Sequence, residues 1–236
     1  MSDTNSLGQP VGDPLPDWTP RRVPEPAPLY GRWCRLEPLS AARHADALFD
    51  ANAADRDGAM WTYMPYGPFP DRERYRAWAA DAAAGDDPLF VTVIPAAVGT
   101  PAGVAAFMRI TPAHGVLEIG NIAFAPLLQG SAAATEAMSL MLGHAFDALG
   151  YRRVEWKCDA LNAASRRAAL RLGFSFEGVF RRHMVVKGRN RDTAWYAITD
   201  TDWPGLRDAH TRWLDPANFD AAGHQRTRLS DLTASA

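Results

Sequence analysis

The sequence of 236 residues is poor in cysteine, in long apolar runs and in excess charge of either sign. Its two cysteines, Cys34 and Cys158, are far apart and lack metal-binding or redox spacing, so we expect reduced, buried thiols in a cytoplasmic protein. No apolar run could span a bilayer, and the first residues lack the pattern of a signal peptide. Because the net charge is only −2, neither a membrane nor nucleic acid is a predicted partner.

Several binding and catalytic motifs are also missing. The six histidines form no H-E-x-x-H or clustered pattern, so no metal site is predicted. The sequence has no P-loop, no Rossmann glycine triplet and no G-x-S-x-G elbow, which argues against nucleotide hydrolysis, nicotinamide redox chemistry and serine hydrolysis.

What is present is typical of a globular α/β protein, with 47% hydrophobic and 22% charged residues. Prolines are frequent in residues 1–29, which we interpret as an extended N-terminal arm lying across the domain through Trp18. Residues 30–214 form the predicted domain, and residues 215–236 read as a loose, polar C-terminal tail. Exchange of the arm between two chains would give a homodimer, although nothing in the sequence requires this.

Apolar periodicity and turn signals predict seven strands and five helices in the domain. The predicted strands span residues 30–40, 89–95, 102–110, 114–126, 152–158, 174–187 and 192–200. The predicted helices span residues 41–52, 72–85, 131–150, 162–173 and 203–214. Ser40, Asp71 and Asn162 are the expected N-caps of the first, second and fourth helices.

The turn before the third predicted helix is unusually rich in small residues, in the run APLLQGSAAATEAM at residues 125–138. A helix start exposes unpaired N–H groups and the positive end of the helix dipole, so it can hold a phosphate. Small side chains from Gly130 to Ala134 would let such a ligand reach the backbone, and Ser131 and Thr135 add hydroxyl groups. Close helix packing explains the same composition, and the pattern alone does not decide between the two.

Three features taken together favour a ligand: the Gly-small-Ala turn, the N-x-x-S motif at Asn162–Ser165 and the LGF motif at residues 172–174. In this order they resemble the GNAT acyl-CoA N-acyltransferases, and most of all their ribosomal-protein N-terminal acetyltransferase (RimJ/RimL-type) branch. The resemblance covers residues 30–202. It implies a GNAT-like α/β fold, in which helices flank a mixed, mostly antiparallel sheet that is splayed between the fourth and fifth predicted strands. It also implies acetyl-CoA as co-substrate.

The resemblance further implies a set of coenzyme-binding residues. The turn would bind the pyrophosphate through backbone amides, the end of the fourth predicted strand would bind the pantetheine arm, and the start of the fourth predicted helix would contact the pantetheine or thioester. The residues concerned are Gln129, Gly130, Ser131, Ala132, Ala133, Ala134 and Thr135 in the turn, Ile122, Ala123 and Phe124 in the strand, and Asn162 and Ser165 in the helix.

Two positions depart from the family pattern. Leu127 stands where the family usually has Gln or Arg, which leaves a contact from Gln129 in question. Ala169 stands where many members have a Tyr or Ser that protonates the leaving thiolate, so Ser165 or water would take that role.

The candidate base is Glu118, because acyl transfer to an amine requires the amine to be neutral. It lies six residues before Phe124, which places both side chains on the same face of a regular strand. A structural ion pair with Arg109 is the equally weighted alternative. Neither cysteine lies in a candidate site motif, so no covalent acyl-enzyme is expected.

The acceptor site is expected beside the aromatic stretch of residues 57–69, where Trp61, Tyr63 and Tyr66 would form its walls. Asp55 or Asp57 could hold an ammonium group. For each of these residues, packing on the core is the alternative.

Two basic stretches have similarly open interpretations. Residues 181–191 could attract an acidic acceptor or RNA, but the pattern more strongly indicates a hairpin with a solvated basic turn. Arg166 or Arg167 could meet the 3′-phosphate of coenzyme A, or both could be surface charges.

The sequence therefore predicts an acetyl-CoA-dependent N-acetyltransferase that works by direct transfer to a protein N-terminus, an amino acid or another small amine. The alternative is a catalytically idle acyl-CoA-binding or protein-interaction module with the same fold.

Overall fold

This computed structural model describes residues 3–236, in which alternating apolar residues and turn signals give ten strands and six α-helices. The strands are β1 (Asp3–Thr4), β2 (Pro10–Val11), β3 (Leu29–Tyr30), β4 (Cys34–Pro38), β5 (Leu89–Pro95), β6 (Gly103–Thr111), β7 (Val116–Phe124), β8 (Arg153–Asp159), β9 (Ser175–Val186) and β10 (Arg189–Thr199). The helices are α1 (Ala41–Asn52), α2 (Arg72–Ala83), α3 (Ala132–Gly143), α4 (Ala163–Arg171), α5 (Trp203–Leu214) and α6 (Leu229–Thr233). All twelve predicted elements are present, and the short β1, β2, β3 and α6 are additional.

Eight of the strands form one sheet in the order β3-β4-β5-β6-β7-β8-β10-β9. Neighbouring strands are antiparallel except β7 and β8, which are parallel. The α3 helix connects these two strands, as a parallel crossover requires. The predicted mixed, mostly antiparallel sheet flanked by helices is confirmed.

Buried apolar side chains fill both faces of the sheet. Phe107 and Ile119 pack on one face with residues of α3 and α5, such as Leu142. Phe90 and Val104 pack on the other face with residues of α1 and α2. Both predicted layers of helices therefore have a core of their own. Within residues 3–236, no helix combines the length and apolar character needed to cross a bilayer.

The helix ends follow the predicted caps with two local differences. Asp71 accepts a hydrogen bond from the Arg74 amide and caps α2. Ser40 occupies the N-cap position of α1 but makes no side-chain cap bond. The third predicted helix is regular only to Gly143, and residues 144–148 widen into a π-helical turn before Gly150. A π-turn inserts one extra residue into the helix. The apolar periodicity, taken over one long helix, does not reveal such an insertion.

The N-terminal arm lies across the domain through Trp18, as expected. The Trp18 indole N–H donates to the Ala113 carbonyl at 2.9 Å. The guanidinium groups of Arg21 and Arg152 lie 4.4 and 5.7 Å from the ring centroid.

The C-terminal segment is not a loose tail, and that expectation was wrong. Leu229 is fully buried in the core. The Asn218 side chain donates to the Trp213 carbonyl at 3.0 Å and accepts from the Thr227 amide at 2.9 Å. One apolar anchor and one buried amide therefore hold a segment whose average composition is polar.

Candidate active site

A groove opens where β7 and β8 separate. The two strands pair from Val116 and Arg153 only as far as Glu118 and Glu155. Beyond that point, among the described residues, β7 pairs only with β6, and β8 pairs only with β10. Each therefore presents a strand edge to the gap, and the gap is part of a groove of about 2230 Å³. The predicted splay between the fourth and fifth predicted strands is present.

A bulge at Asn121 changes which face each residue of β7 occupies. Asn121 has a φ of 51°, and the pairing with β6 shifts so that two residues of β7 oppose one residue of β6. Glu118 pairs with Met108, whereas Phe124 pairs with Gly103, and these two β6 residues face opposite sides of the sheet. The expectation that Glu118 and Phe124 share a face was therefore wrong, because it assumed a regular strand.

Glu118 instead lies on the α1–α2 face of the sheet, at the apex of the opening. Its side chain is almost fully buried, and Oε2 lies 3.0 Å from Arg109 Nε and 3.2 Å from Lys157 Nζ. Both distances are those of ion pairs, but neither contact has the angles of a hydrogen bond. Oε2 can therefore still accept a hydrogen bond. The ion pair with Arg109 that we considered as an alternative is present.

Burial raises the pKa of the Glu118 carboxyl above its usual range, while the charges of Lys157 and Arg109 oppose this rise. Lys157 also contacts Glu155 at 2.6 Å, and its ammonium lies 3.9 Å from the centroid of the Trp195 ring. Glu118 is thus a buried carboxylate at the border of the groove, and neighbouring positive groups balance its charge. One of its oxygens can still accept a hydrogen bond.

The other end of the groove contains the start of α3. Gly130 has a φ of 71°, and a Cβ at this position would meet open space. Within residues 3–236 the amides of Gly130, Ala132 and Ala133 have no protein acceptor, whereas the Ala134 amide donates to Ser131 Oγ at 3.1 Å. The turn therefore offers unbonded backbone amides at the positive end of a helix.

Three polar side chains of this turn serve the protein itself. The Ser131 hydroxyl donates to the Leu128 carbonyl at 2.7 Å in addition to capping α3. The Thr135 hydroxyl accepts from Arg171 Nη1 at 3.0 Å. Gln129 Nε2 donates to the Phe124 carbonyl at 2.8 Å, and the Gln129 amide donates to Ala125. In this geometry the anion-binding capacity of the turn resides in its backbone.

The last residues of strand β7 and the start of helix α4 form the middle of the groove. Ile122, Ala123, Phe124, Asn162 and Ser165 all line it. Asn162 Oδ1 accepts from the Ser165 amide and caps α4 as predicted, which leaves its amide nitrogen free to contact a ligand. Ser165 Oγ accepts from the Trp156 indole at 2.9 Å and retains its own proton for donation.

Ala169, where a family hydroxyl was sought, is fully buried in the core. It is not among the residues that line the groove. Cys158 does line the groove, contrary to the expectation that neither cysteine lies at the site. Burial raises the pKa of its thiol, which disfavours the nucleophilic thiolate.

Of the three aromatic residues predicted at the acceptor site, the structure brings only Tyr63 to the groove, where its hydroxyl donates to the Leu161 carbonyl at 3.2 Å. Trp61 is buried against Phe69, and the Tyr66 ring lies 4.8 Å from that of Trp78. These rings pack together under α2, because large apolar surfaces gain more from the core than from an open wall. Asp55 also lines the groove and accepts from the Met60 amide.

The β9–β10 hairpin reaches over to this aromatic segment. Lys187, at its tip, donates to the carbonyls of Trp61 and Gly67 at 2.8 and 2.7 Å. Sequence reasoning treated the lysine as part of a solvated basic turn and missed this contact. No local signal could have identified it, since the two groups are 120 or more residues apart in the chain.

Two further predictions concern charged groups. Arg166 donates to Tyr196 and to the Ala160 carbonyl and does not line the groove, whereas Arg167 does. Across residues 3–236, no group of three or more His, Cys, Asp or Glu side chains is placed to hold a metal ion.

Comparison with known proteins agrees with this geometry. Residues 34–175 match the acetyltransferase (GNAT) domain family. A GCN5-related N-acetyltransferase from Brucella melitensis is 49% identical, with a TM-score of 0.92 over 93% of this chain and 100% of that chain. A probable GNAT-family acetyltransferase from Chromobacterium violaceum is 40% identical, with a TM-score of 0.77 over 83% of this chain and 98% of that chain.

One curated relative is the uncharacterized N-acetyltransferase YoaA of Bacillus subtilis, which is 38% identical over 65 residues. That match spans 28% of this chain and only 37% of the relative.

The comparison with a ribosomal-protein acetyltransferase shows a common fold and does not establish that branch for this chain. A Salmonella typhimurium enzyme that modifies the N-terminal serine of ribosomal protein L7/L12 is 19% identical, with a TM-score of 0.62 over 73% of this chain and 98% of that chain. The match to the acetyltransferase (GNAT) domain family covers more than half of the chain. The chain therefore belongs to the GNAT family of acetyltransferases.

Proposed function

We propose that this protein is an acetyl-CoA-dependent N-acetyltransferase that transfers the acetyl group directly to a primary amine. The observation that carries the proposal is the opening between β7 and β8, which connects a buried carboxylate at its apex to unbonded helix amides at its mouth. One groove thus offers a base for an amine and a cradle for a pyrophosphate.

The residues present fit coenzyme A. The amides of Gly130, Ala132 and Ala133 would hold the pyrophosphate, since they are unbonded and no side chain blocks Gly130. The free edge of β7 from Ile122 to Phe124 would pair with the amide groups of the pantetheine arm, in the manner of an added strand. The Asn162 amide nitrogen would contact the same arm. Bound in this way, the coenzyme supplies an activated thioester at the apex of the opening.

Glu118 would act as the base, directly or through a water molecule. The amine nitrogen forms the new bond to the thioester carbonyl carbon, the carbon–sulfur bond breaks, and the proton lost by nitrogen passes to Glu118. The released thiolate takes a proton from Ser165 or from water. Because burial raises the pKa of Glu118, it is a stronger base than an exposed carboxylate.

The acceptor would approach from the α1–α2 face, where Glu118 lies. This part of the groove is bordered by Asp55, Tyr63 and Met64, which combine a carboxylate with apolar surface. That chemistry suits a protein N-terminus, an amino acid or another small amine. We propose direct transfer without an acyl-enzyme, because the raised pKa of Cys158 disfavours a thiolate at the site. The free, buried state of both cysteines agrees with the proposed cytoplasmic location.

The proposal is tested by measuring acetyl-CoA consumption against a panel of amines, amino acids and N-terminal peptides. We expect turnover with at least one acceptor, and a Glu118→Gln variant that still binds coenzyme A but has lost that turnover. Tight coenzyme binding without turnover on any acceptor would favour the idle acyl-CoA-binding module. Absence of coenzyme binding would contradict both.

A further inference from the structure

We propose that the C-terminal segment, residues 219–230, joins Arg171 to form a binding site for the 3′-phosphate of coenzyme A. This inference rests on the proposed function, because it concerns the same coenzyme. It adds a part of the chain that lies outside the matched family region, residues 34–175.

A chain of contacts brings this segment beside the start of α3. Arg171 Nη1 donates to the Thr135 hydroxyl in the first turn of α3. The same guanidinium lies 4.8 Å from the Trp213 ring centroid, and the Trp213 indole donates to Gln225 Oε1 at 2.8 Å. The segment therefore lies two side chains away from the proposed pyrophosphate cradle, and it borders the same groove.

The segment is held in place from both ends. At its start, the Arg226 amide donates to the Asn218 carbonyl, and Phe219 forms a β-bridge with Gln225. At its end, Leu229 is fully buried, and the Thr233 hydroxyl donates to the Arg171 carbonyl at 3.4 Å. The backbone of the segment is thus fixed before a ligand binds, and only its exposed arginine side chains have to be ordered on binding.

Positive charge is concentrated on this wall of the groove. The arginines that line it are Arg167, Arg171, Arg226 and Arg228. None of the four has a carboxylate within 4.0 Å in residues 3–236. The acidic residue of the segment, Asp220, is held by the Ala222 and His224 amides of its own turn.

Such a set of uncompensated guanidinium groups suits a phosphate ester. Arginine has a fixed fork of donors that matches phosphate oxygens, and within residues 3–236 the Arg171 guanidinium makes only one hydrogen bond, to Thr135. Burial lowers the pKa of Arg171, so a nearby dianion would stabilise its charged form. Coenzyme A carries one phosphomonoester beyond its pyrophosphate, on the ribose at the adenosine end. The pyrophosphate is assigned to the α3 amides, which leaves this 3′-phosphate for the arginines.

The test compares binding of coenzyme A and 3′-dephospho-coenzyme A by isothermal titration calorimetry. For the wild-type protein we expect coenzyme A to bind about tenfold more tightly or better, as charged hydrogen bonds to a phosphate predict. In the Arg226→Gln/Arg228→Gln double variant this ratio should fall toward one, while the affinity for the dephospho compound stays unchanged. Arg171→Gln should reduce the ratio in the same way.

Arg74→Gln serves as the matched control, since Arg74 is exposed on α2 and does not line the groove. It should keep the wild-type ratio. Both Arg226 and Arg228 are exposed, so the double variant tests the site even if Arg171→Gln fails to fold. Equal wild-type affinity for the two compounds, or an unchanged ratio in the double variant, would overturn the inference and leave the proposed function intact. A wild-type protein that binds neither compound would overturn both.

Discussion

The Glu118 carboxylate lies 3.2 Å from the Lys157 ammonium, across the point at which β7 and β8 separate. Both side chains are almost fully buried, with about 5% of each exposed. The pair belongs to a charged cluster with Arg109 and Glu155 at the apex of the groove, and it gives the proposed base a positive neighbour.

Replacing Glu118 with Gln should lower kcat by roughly 100-fold or more, since a positioned general base contributes at least this factor. Coenzyme binding should be unaffected, because the α3 amides are at the other end of the groove. Steady-state kinetics and calorimetry measure the two effects. Glu155→Gln is the control: Glu155 also contacts Lys157 but does not line the groove, and it should change kcat much less. Equal losses in the two variants would contradict a specific role for Glu118.

The Lys157→Met substitution should shift the acid limb of the pH–rate profile to higher pH. Burial raises the pKa of Glu118 and the Lys157 charge opposes this, so removal of that charge leaves the carboxyl protonated up to a higher pH. A base works only when deprotonated, so activity is lost as the pH falls through this pKa. The measurement is kcat/KM against pH for both proteins. An acid limb at the same pH in both would contradict the assignment of the limb to Glu118.

Placing a carboxylate at the helix start should abolish coenzyme binding. Ala132→Glu puts a negative, bulky group beside the amides that would hold the pyrophosphate. The negative charge of a Glu in the first turn of a helix interacts favourably with the positive end of the helix dipole, so the protein should still fold. The matched control is Ala42→Glu, in the first turn of α1, which should bind coenzyme A normally. Unchanged affinity in Ala132→Glu would show that the coenzyme site is elsewhere.

Lys187 should act as a positioning residue for the acceptor side of the groove. In Lys187→Met the carbonyls of Trp61 and Gly67 lose their donor, and the loop that carries Tyr63 loosens. We expect the KM for the amine to rise roughly 3- to 10-fold, with little change in the KM for acetyl-CoA. Lys187→Arg should recover part of the loss, and Arg189→Met on the same hairpin should have no effect. A rise in both KM values would indicate a general structural role.

His210 should make the protein less stable in mild acid. Burial lowers its pKa to about 4, and Nε2 contacts the Leu172 carbonyl at 3.0 Å. In the unfolded chain the pKa is about 6.5, so between pH 6.5 and 4 the unfolded state binds a proton that the folded state does not. The contribution of neutral His210 to the free energy of unfolding is therefore complete above pH 6.5. It is lost as the pH falls toward 4, which lowers the free energy of unfolding by roughly 3 kcal/mol. Urea unfolding at several pH values should show a flatter dependence for His210→Gln than for the wild type. Parallel curves would contradict this origin.

The sequence by itself determined the elements, their order and the family resemblance. These depend on short-range signals: Asp71 and Asn162 cap helices from within three residues, and Gly130 marks a turn with positive φ. The chemistry of the α3 start was predictable for the same reason, because unbonded amides are a property of any helix beginning.

Only the tertiary structure decided which side chains meet. The bulge at Asn121 moved Glu118 to the face opposite Phe124, and one extra residue in a strand leaves no periodic signal. Trp61 is buried in the core and Tyr66 packs against it, although their segment has the composition of a loop, since contact of large rings with Phe69 and Trp78 is favourable.

Long-range polar contacts were equally beyond the sequence. The Glu136 carboxylate of α3 accepts from the amides of Arg32, Trp33 and Cys34, more than 100 residues earlier in the chain. Lys187 reaches the carbonyl of Trp61 in the aromatic segment, and Leu229 anchors the polar C-terminal segment beside the groove. Local composition specifies how each segment folds, whereas the pairing of distant groups depends on which surfaces the packed sheet and helices bring together.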